Sequence, residues 1–366
     1  MADNTCDEVE AFLILNASGL TPRHQFMLLE ALGTAAAVLG AADIDLLAVD
    51  GITRGQVEKV RRAQRTVDAS EIRTRCGDLG VEPVPCSDPR YPALLRQAED
   101  RTPLLFVQGT LERRDDLSIA IVGTRKCTPY GLSMASKLAA DLARRGFTVV
   151  SGLAQGIDAQ AHRETLEAGG RTIAVMASGA DITFPSENRA LRQRIAAGGA
   201  VVTEYALGTP PHRQRFPARN RLISALSLGV LVIEAPARSG ALITARLAGE
   251  QGREVFAVPG DATRPESHGT NGLIRDGAHL VQYAEDVVEG LGILLTAVPQ
   301  REPVASTEGL PEDQRAVVEA LSYQPRHVDD IVQSSGVPAA RVSAALMMLE
   351  MHGLARRLPG STFVRL

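Results

Sequence analysis

Lysine is nearly absent from this 366-residue chain. It stands only at Lys59, Lys126 and Lys137, so arginine carries almost all the positive charge. The formal net charge of −4 excludes a protein that coats nucleic acid through bulk positive charge, and any nucleic-acid site must be a local patch. Cysteine is sparse too: Cys6, Cys76, Cys86 and Cys127 show no CxxC spacing and no neighbouring histidine cluster. That excludes a disulfide framework and a zinc site, so no metal is expected. No apolar run approaches the ~18 residues of a membrane span, and Met1-Ala-Asp-Asn-Thr-Cys6 is not a basic stretch leading into an apolar one. No membrane association is expected, and a cytoplasmic location is. Two nucleotide signatures are missing as well. There is no GxGxxG followed by an acid at the end of the next strand, and no GxxxxGK[ST] loop. No cofactor is therefore expected.

What is present is an ordinary globular composition, 45% hydrophobic and 22% charged, long enough for two or three domains. Residues 1–80 are Ala/Leu-rich with helical periodicity and no strand-like alternation, which predicts a small helical domain. Within it, Leu46-Leu47-Ala-Val-Asp-Gly51-Ile52 followed by Thr53-Arg-Gly-Gln-Val-Glu-Lys-Val60 has the spacing of a SAM or helix-hairpin-helix unit. A turn of that kind can face a DNA phosphate, and it can equally be a plain packing turn between two helices. Residues 81–110 hold Pro83, Pro85, Pro89, Pro92 and Pro103, which predicts an ordered connector.

Residues 111–295 alternate strands and helices. Short Val/Ile-rich runs at Ser118–Val122, Phe147–Val150, Thr172–Met176, Ala200–Thr203, Val230–Ile233 and Glu254–Val258 are separated by helix-length segments. The pattern predicts an α/β, Rossmann-like domain with a mainly parallel sheet. In such a sheet the loops that follow the strands share one edge, where ligands bind.

Two of those loops suit an anion. Gly123-Thr124-Arg125 ends the first strand, and Ser151-Gly152-Leu-Ala-Gln-Gly156-Ile-Asp158 joins a strand to a helix, offering amides without an obstructing Cβ. Close helix–strand packing would also want those glycines. A sharper feature is His212-Arg-Gln-Arg-Phe216-Pro-Ala-Arg219-Asn220-Arg221, inside a stretch from Glu204 to Glu234 with no acid between them. Guanidinium groups can hold phosphates, Phe216 can stack on an exposed base and Asn220 can reach a base edge, a set suited to single-stranded DNA. The competing reading is a solvated Arg-rich loop. Ser239-Gly240-Ala-Leu-Ile-Thr244 repeats the small-residue helix start on the fifth strand.

Asp158 and His162 stand at i and i+4, but no nucleophile or metal cluster accompanies them, so Asp158 is read as a brace for the helix start and no catalytic residue is assigned. The alternative is a Rossmann-like enzyme that binds or hydrolyses nucleotides. It would need a Pro-Gly-Gly-x-Gly-Thr loop followed by a catalytic Glu, where this chain has Ala235-Pro-Ala-Arg-Ser-Gly240.

Taken together, Ile121–Arg125, Ser151–Asp158 with Ala161-His162, Phe184–Asn188, Phe216–Ile223, Ser239–Thr244, Val255–Gly260 and Gly269–Ile274 with Gly277-Ala278 resemble the DNA-processing protein A (DprA/Smf) family, in the family's order. The resemblance implies an extended Rossmann fold that binds single-stranded DNA, forms homodimers and helps load the RecA recombinase in transformation or repair, without chemistry of its own. By position it implies a DNA pocket built from Gly123, Thr124, Arg125, the amides around Ser151, Gly152 and Gly156, and the segment Phe216, Arg219, Asn220, Arg221. The late sheet edge, Gly269–Ile274 and Gly277–Val281, is apolar and in need of cover, so Ile274 and Leu280 are expected at a dimer contact.

Beyond a polar, Pro-containing linker at 296–308, residues 309–366 predict a winged helix: three helices, with Gly336 in the last turn, and a two-stranded wing from Arg356 to Val364. From Glu308 onward six arginines face seven acids, and the presumed recognition helix carries only Arg341 as a cation. Protein contact or an accessory DNA role suits it better than reading a duplex.

Overall fold

The computed structural model describes residues 3–292, 310–321, 326–351, 355–358 and 361–365. It divides into two compact units, 1–299 and 300–366. Among the described residues of the first unit, one nine-stranded sheet runs β1 (Val81–Pro85), β2 (Leu104–Gly109), β3 (Ser118–Val122), β4 (Thr148–Ser151), β5 (Thr172–Val175), β6 (Ala200–Thr203), β7 (Gly229–Val232), β8 (Glu254–Ala257) and β9 (His279–Leu280) in sequence. In space the order is β1-β2-β6-β5-β4-β3-β7-β8-β9. Neighbours from β6 through to β9 pair in parallel, while β2 is antiparallel to both β1 and β6.

The chain moves outward from β3 through β4, β5 and β6, then returns to β7 on the other side of β3. The reversal opens a crevice at the carboxyl ends of β3 and β7, the place where doubly wound sheets take their ligands.

Strand alternation explains why both faces are covered. On β3, Ile119 and Ile121 join Val149, Leu231 and Phe256 under the helices Pro129–Arg144 and Ile157–Glu167. Ala120 and Val122 point the other way, with Val150, Val230 and Val232, toward the helices Arg215–Ala225 and Gly240–Glu250. Every side chain of β3 is buried, which is why the run reads as continuously apolar. Each fully buried Val or Ile contributes roughly 1.5–3 kcal/mol.

Residues 81–110 depart from the connector expected of them. Leu104, Leu105 and Phe106 are fully buried, and β1 and β2 extend the sheet. Two of the five prolines that suggested a connector, Pro83 and Pro85, lie on β1, an outer strand that pairs on one side only. A strand at the margin of a sheet tolerates missing amide donors. A second departure concerns 269–274. This stretch forms part of the helix His268–Arg275, not of the sheet edge, and only His279–Leu280 pairs with β8.

The N-terminal helices pack on that added margin. Phe12, Leu15, Leu28, Val38, Leu46, Val57 and Val60 share one core with Val81, Leu104, Phe106 and Ala180. Gly51 lies at φ +78°, and the space for a Cβ there is taken by the Met27 side chain, so this turn is packed.

In the second unit the helices Glu312–Ala320, Val328–Ser335 and Ala339–Met351 enclose Val317, Ile331, Val342, Leu346 and Leu349. Strands Arg326–His327, Thr362–Arg365 and Ala355–Leu358 form a small antiparallel sheet in that order. Arg341 on the third helix is paired with Asp313 at 3.2 Å. The expected linker at 296–308 lies outside the described residues.

Candidate nucleic-acid interface

The crevice between β3 and β7 holds a cavity of about 340 Å³. Gly123, Thr124 and Arg125 line one wall, and Pro236, Arg238, Ser239, Gly240 and Thr244 another. Phe216, Arg219, Asn220 and Ile223 close it, all from the helix Arg215–Ala225. Residues three, four and seven apart share one face of a helix, which is why these four converge.

Arg221 falls off that face. Its guanidinium pairs with the buried Glu204 carboxylate and donates to the Asp100 carbonyl, so it does not line the cavity. The sequence counted it with the cluster because a list of arginines does not carry helical phase.

A second cavity, of about 300 Å³, adjoins the first and shares Arg125, Ala154 and Phe216 with it. Its other walls include Gly152, Gln155, Phe184, Pro185 and Glu187. Both volumes lie in the range of small-ligand clefts. Between the two runs an aromatic ridge: Phe184 and Phe216 have ring centroids 5.7 Å apart, tilted by 54°, and the Arg125 guanidinium sits 5.1 Å over the Phe216 ring. Phe184 is 42% exposed. Sequence reasoning did not single it out as a site residue. Its signal, an aromatic before Pro185 in a strand-end loop, makes sense only once Phe216 is known to lie beside it.

The loop after β4 is braced from within. The Asp158 carboxylate, buried, accepts from the Gly152 amide at 3.2 Å and also from the Ala154 backbone. Burial pushes its carboxyl above the usual range, against the opposing pull of Arg219. Leu153 adopts φ +55°, held by full burial of its side chain and by Asn188, which donates to its carbonyl at 2.9 Å. The amides of Gly152 and Thr124 are therefore engaged internally, the latter with the Glu234 carbonyl at 2.8 Å.

The glycines of these loops serve packing. A Cβ on Gly123 would stand 2.6 Å from Ile157, and one on Gly156, at φ +81°, 2.5 Å from the Thr124 carbonyl. Ser151 is fully buried and donates to the Ile121 carbonyl at 2.6 Å. Neither Ser151 nor Gly156 lines either cavity.

Arg219 is only 4% exposed, and its guanidinium donates to the carbonyls of Gly152, at 2.8 Å, and Val175. Burial pushes its pKa down to about 10, with Asp158 pulling the other way. It stays charged near neutrality, as a fixed, largely buried cation in the cavity wall. Arg125 and Arg238 differ: both are exposed, and neither has a carboxylate partner among the described residues. Arg238 precedes the helix Gly240–Glu250, whose Ser239 cap accepts from the Ala241 amide. Gly240 has open space where a Cβ would be, so this helix start faces the cavity bare. Two guanidinium groups without a carboxylate partner among the described residues and a positive helix end give the crevice a chemistry suited to anions.

The Asp158 and His162 pair divides. Asp158 lines the cavity, but His162 is fully buried away from it, 2.6 Å from the Thr172 hydroxyl, and burial pushes its pKa down to about 3. Among the described residues no group of three His, Cys, Asp or Glu is placed to hold a metal ion, and no helix is long and apolar enough to cross a membrane.

At the far end of the sheet, Leu280 on β9 is 46% exposed and Ile274 is half-buried.

Comparison with known proteins gives this chain a family. Residues 83–292 match the model of the DNA recombination-mediator protein A family, and residues 301–361 that of the DprA winged helix domain. Protein Smf of Synechocystis is 34% identical over 359 residues, covering 89% of this chain and 90% of that protein. The putative DNA processing protein DprA of Mycobacterium tuberculosis is 39% identical over 331 residues, 84% of each. Among solved structures, DNA processing protein A from Streptococcus pneumoniae superposes with a TM-score of 0.69 at 34% identity, covering 77% of this chain and 97% of that one. A Helicobacter pylori DNA processing protein A structure, described for its single-stranded DNA binding mode, matches with a TM-score of 0.52 at 31% identity, over 58% of this chain and 95% of that one. The chain belongs to the DNA recombination-mediator protein A (DprA/Smf) family.

Proposed function

We propose that this chain binds single-stranded DNA along the crevice at the carboxyl ends of β3 and β7, assembles as a homodimer through the β9 margin, and hands the strand to a RecA-type recombinase, without chemistry of its own. One observation carries the reading: Arg125 and Arg238, without a carboxylate partner among the described residues, line a cavity that shares Phe216 with a second cavity, where the Phe184 ring stands beside it. The guanidiniums suit phosphates. The ring faces suit bases, and only a strand whose bases are not already paired and stacked can present them. Membership of a recombination-mediator family and the single-stranded DNA binding mode described for the Helicobacter pylori protein support the same ligand. The winged helix fits a protein contact or an accessory DNA role, because the one cation on its third helix is already paired.

The test is a gel shift with labelled single-stranded and duplex oligonucleotides, without added nucleotide. Tighter binding of the single strand is expected. Preference for the duplex, or release of free base from a nucleotide, would favour the nucleotide-processing alternative. Nucleation of RecA filaments on strands already covered by a single-strand-binding protein tests the hand-over, and no acceleration by this chain would reject it.

A further inference from the structure

The first unit is polarised in charge at a place the crevice does not use. Residues 1–53 carry one arginine against eight acids, whereas residues 54–75 carry six arginines and one lysine against three acids. Most of that charge lies on the thirteen-residue helix Arg54–Thr66. Its inner side buries Val57, Val60 and Ala63 in the helical layer. Arg61 belongs to the packing, pairing with Asp43 at 2.7 Å and donating to the Leu39 carbonyl.

The outer side is different. Arg54, Lys59, Arg62 and Arg65 are all exposed, within about 140° of arc at ~100° per residue. Glu58 is the one acid among them. None of the four cations has a side-chain partner among the described residues. Nearby acids are engaged elsewhere: Asp43 with Arg61, Asp45 with the Ala42 amide, and Asp68 with the Glu71 amide. Four like charges left facing water cost the fold stability through mutual repulsion, which a polyanion relieves.

The helical layer that carries this helix reaches the edge of the sheet where the crevice opens. The helical layer packs against Ala180, Ala206 and Leu207, and Asn16 donates to the Glu204 carbonyl at 3.2 Å. These residues lie in the loops after β5 and β6, at the same carboxyl edge of the sheet as the crevice. From Arg54 to Arg65 the helix rises about 16 Å at ~1.5 Å per residue, the axial run of about five phosphates of one duplex strand at ~3.4 Å each.

We propose that the exposed face of Arg54–Thr66, built from Arg54, Lys59, Arg62 and Arg65, is a second site that holds the sugar–phosphate backbone of DNA outside the crevice. The choice of DNA as the polyanion rests on the single-strand reading of the crevice; the basic face itself does not. The face recognises phosphate alone, so it serves a single-stranded tail or a duplex flank.

The experiment uses the full chain with Arg54, Lys59, Arg62 and Arg65 all changed to Gln, which keeps helix-forming side chains on a solvent face. Binding is measured by fluorescence anisotropy against salt, on a six-nucleotide strand, a thirty-nucleotide strand and a thirty-base-pair duplex. The variant should bind the six-mer as the parent does. It should bind at least one long probe tenfold or more weakly, with the slope of log affinity against log salt lowered by about 0.7 for each phosphate no longer neutralised on a single strand, or about 0.9 on a duplex. Which long probe responds tells tail from flank. Glu58→Gln should tighten the same probe. Parental affinity and slope on both long probes overturns the proposal, as does unchanged DNA binding with lost adhesion to anionic vesicles. In a chain carrying Arg125→Ala and Phe216→Ala, residual binding of the long probe should weaken further when the four Gln changes are added; if it stays the same, the basic face is not a DNA site. Failure of the parent to bind the six-mer counts against the crevice and leaves the long-probe comparison decisive for the helix.

Discussion

The guanidinium of Arg219 occupies the space that a Cβ on Gly152 would need: the two would stand 2.5 Å apart. The glycine thus answers to the arginine, and the arginine's hydrogen bonds to the Gly152 and Val175 carbonyls hold it there. Gly152→Ala should cost roughly 1–3 kcal/mol by overpacking. The cost should nearly disappear when Arg219 is already Ala, because the clash is then gone. Urea denaturation of the two single variants and the double variant forms the cycle, and additive costs would show that the pair is not coupled.

Arg221 and Arg219 stand two residues apart and have different work. Arg221→Ala leaves the Glu204 carboxylate buried and unpaired, at a cost of roughly 3–5 kcal/mol. Burial already pushes the Glu204 carboxyl up, and Arg221 is the largest influence pulling it down. A carboxyl raised in the folded state favours folding more as pH falls, so the deficit should shrink between pH 7 and pH 5. The salt slope of DNA binding should stay at the parental value. A reduced slope in a correctly folded Arg221→Ala chain would return this arginine to the interface.

The alternating apolar runs from Ser118 to Ala257 specify the parallel sheet because burial on both faces writes itself as continuous Val and Ile. Chain order then locates the crevice. Three things were not legible. Helical phase separates Arg221 from Phe216, Arg219 and Asn220, and it is not visible until the helix bounds are known. The β1 and β2 margin was masked by prolines, since an outer strand and a connector look alike when amide donors are missing. Phe184 and Arg238 reach the crevice from loops whose course depends on tertiary contacts, so neither stood out from its neighbours in sequence.

His162 ties stability to pH. Burial holds its pKa near 3 in the folded chain, against about 6.5 when exposed. A base whose pKa is depressed by folding gives its full stability above the exposed value. That contribution is lost as pH falls from about 6.5 toward 3, because the unfolded chain takes up the proton first. The urea midpoint should therefore decline below pH 6.5, and His162→Gln should flatten the decline while lowering stability at pH 7.5. An identical acid limb in the variant would assign the decline to other groups.

The proposed homodimer places the β9 margin at its interface. Leu280 is exposed on a two-residue strand paired only with β8, beside Tyr283, 54% exposed and stacked by Lys137 at 4.4 Å. An exposed Leu tolerates Arg without loss of fold, so Leu280→Arg should give monomers by light scattering, with an unchanged circular dichroism spectrum. Ile274→Arg, at a half-buried position, should do the same with some loss of stability. A parental mass for Leu280→Arg would remove this margin from the interface.

Charge and stacking in the crevice are separable because only one of them releases counterions. Arg125→Ala and Arg238→Ala remove exposed guanidiniums that no carboxylate holds among the described residues, so each should weaken binding on any sequence and lower the salt slope by about 0.7 for each phosphate no longer neutralised. Phe216→Ala removes a ring that touches Phe184 and underlies Arg125. It should cost about 1–3 kcal/mol of binding with little change in slope, as loss of base stacking does. Phe184→Ala is the cleaner partner experiment, because Phe184 is half-exposed and its loss should leave folding intact. If both rings stack on bases, the Phe184 and Phe216 variants should weaken a short pyrimidine strand, and the double variant should lose less than the sum, since each ring supports the other's tilt. A Phe184→Ala chain with parental affinity would confine stacking to Phe216. A Phe216→Ala chain whose slope falls as far as that of Arg125→Ala would mean that the ring works by positioning Arg125 rather than by meeting a base.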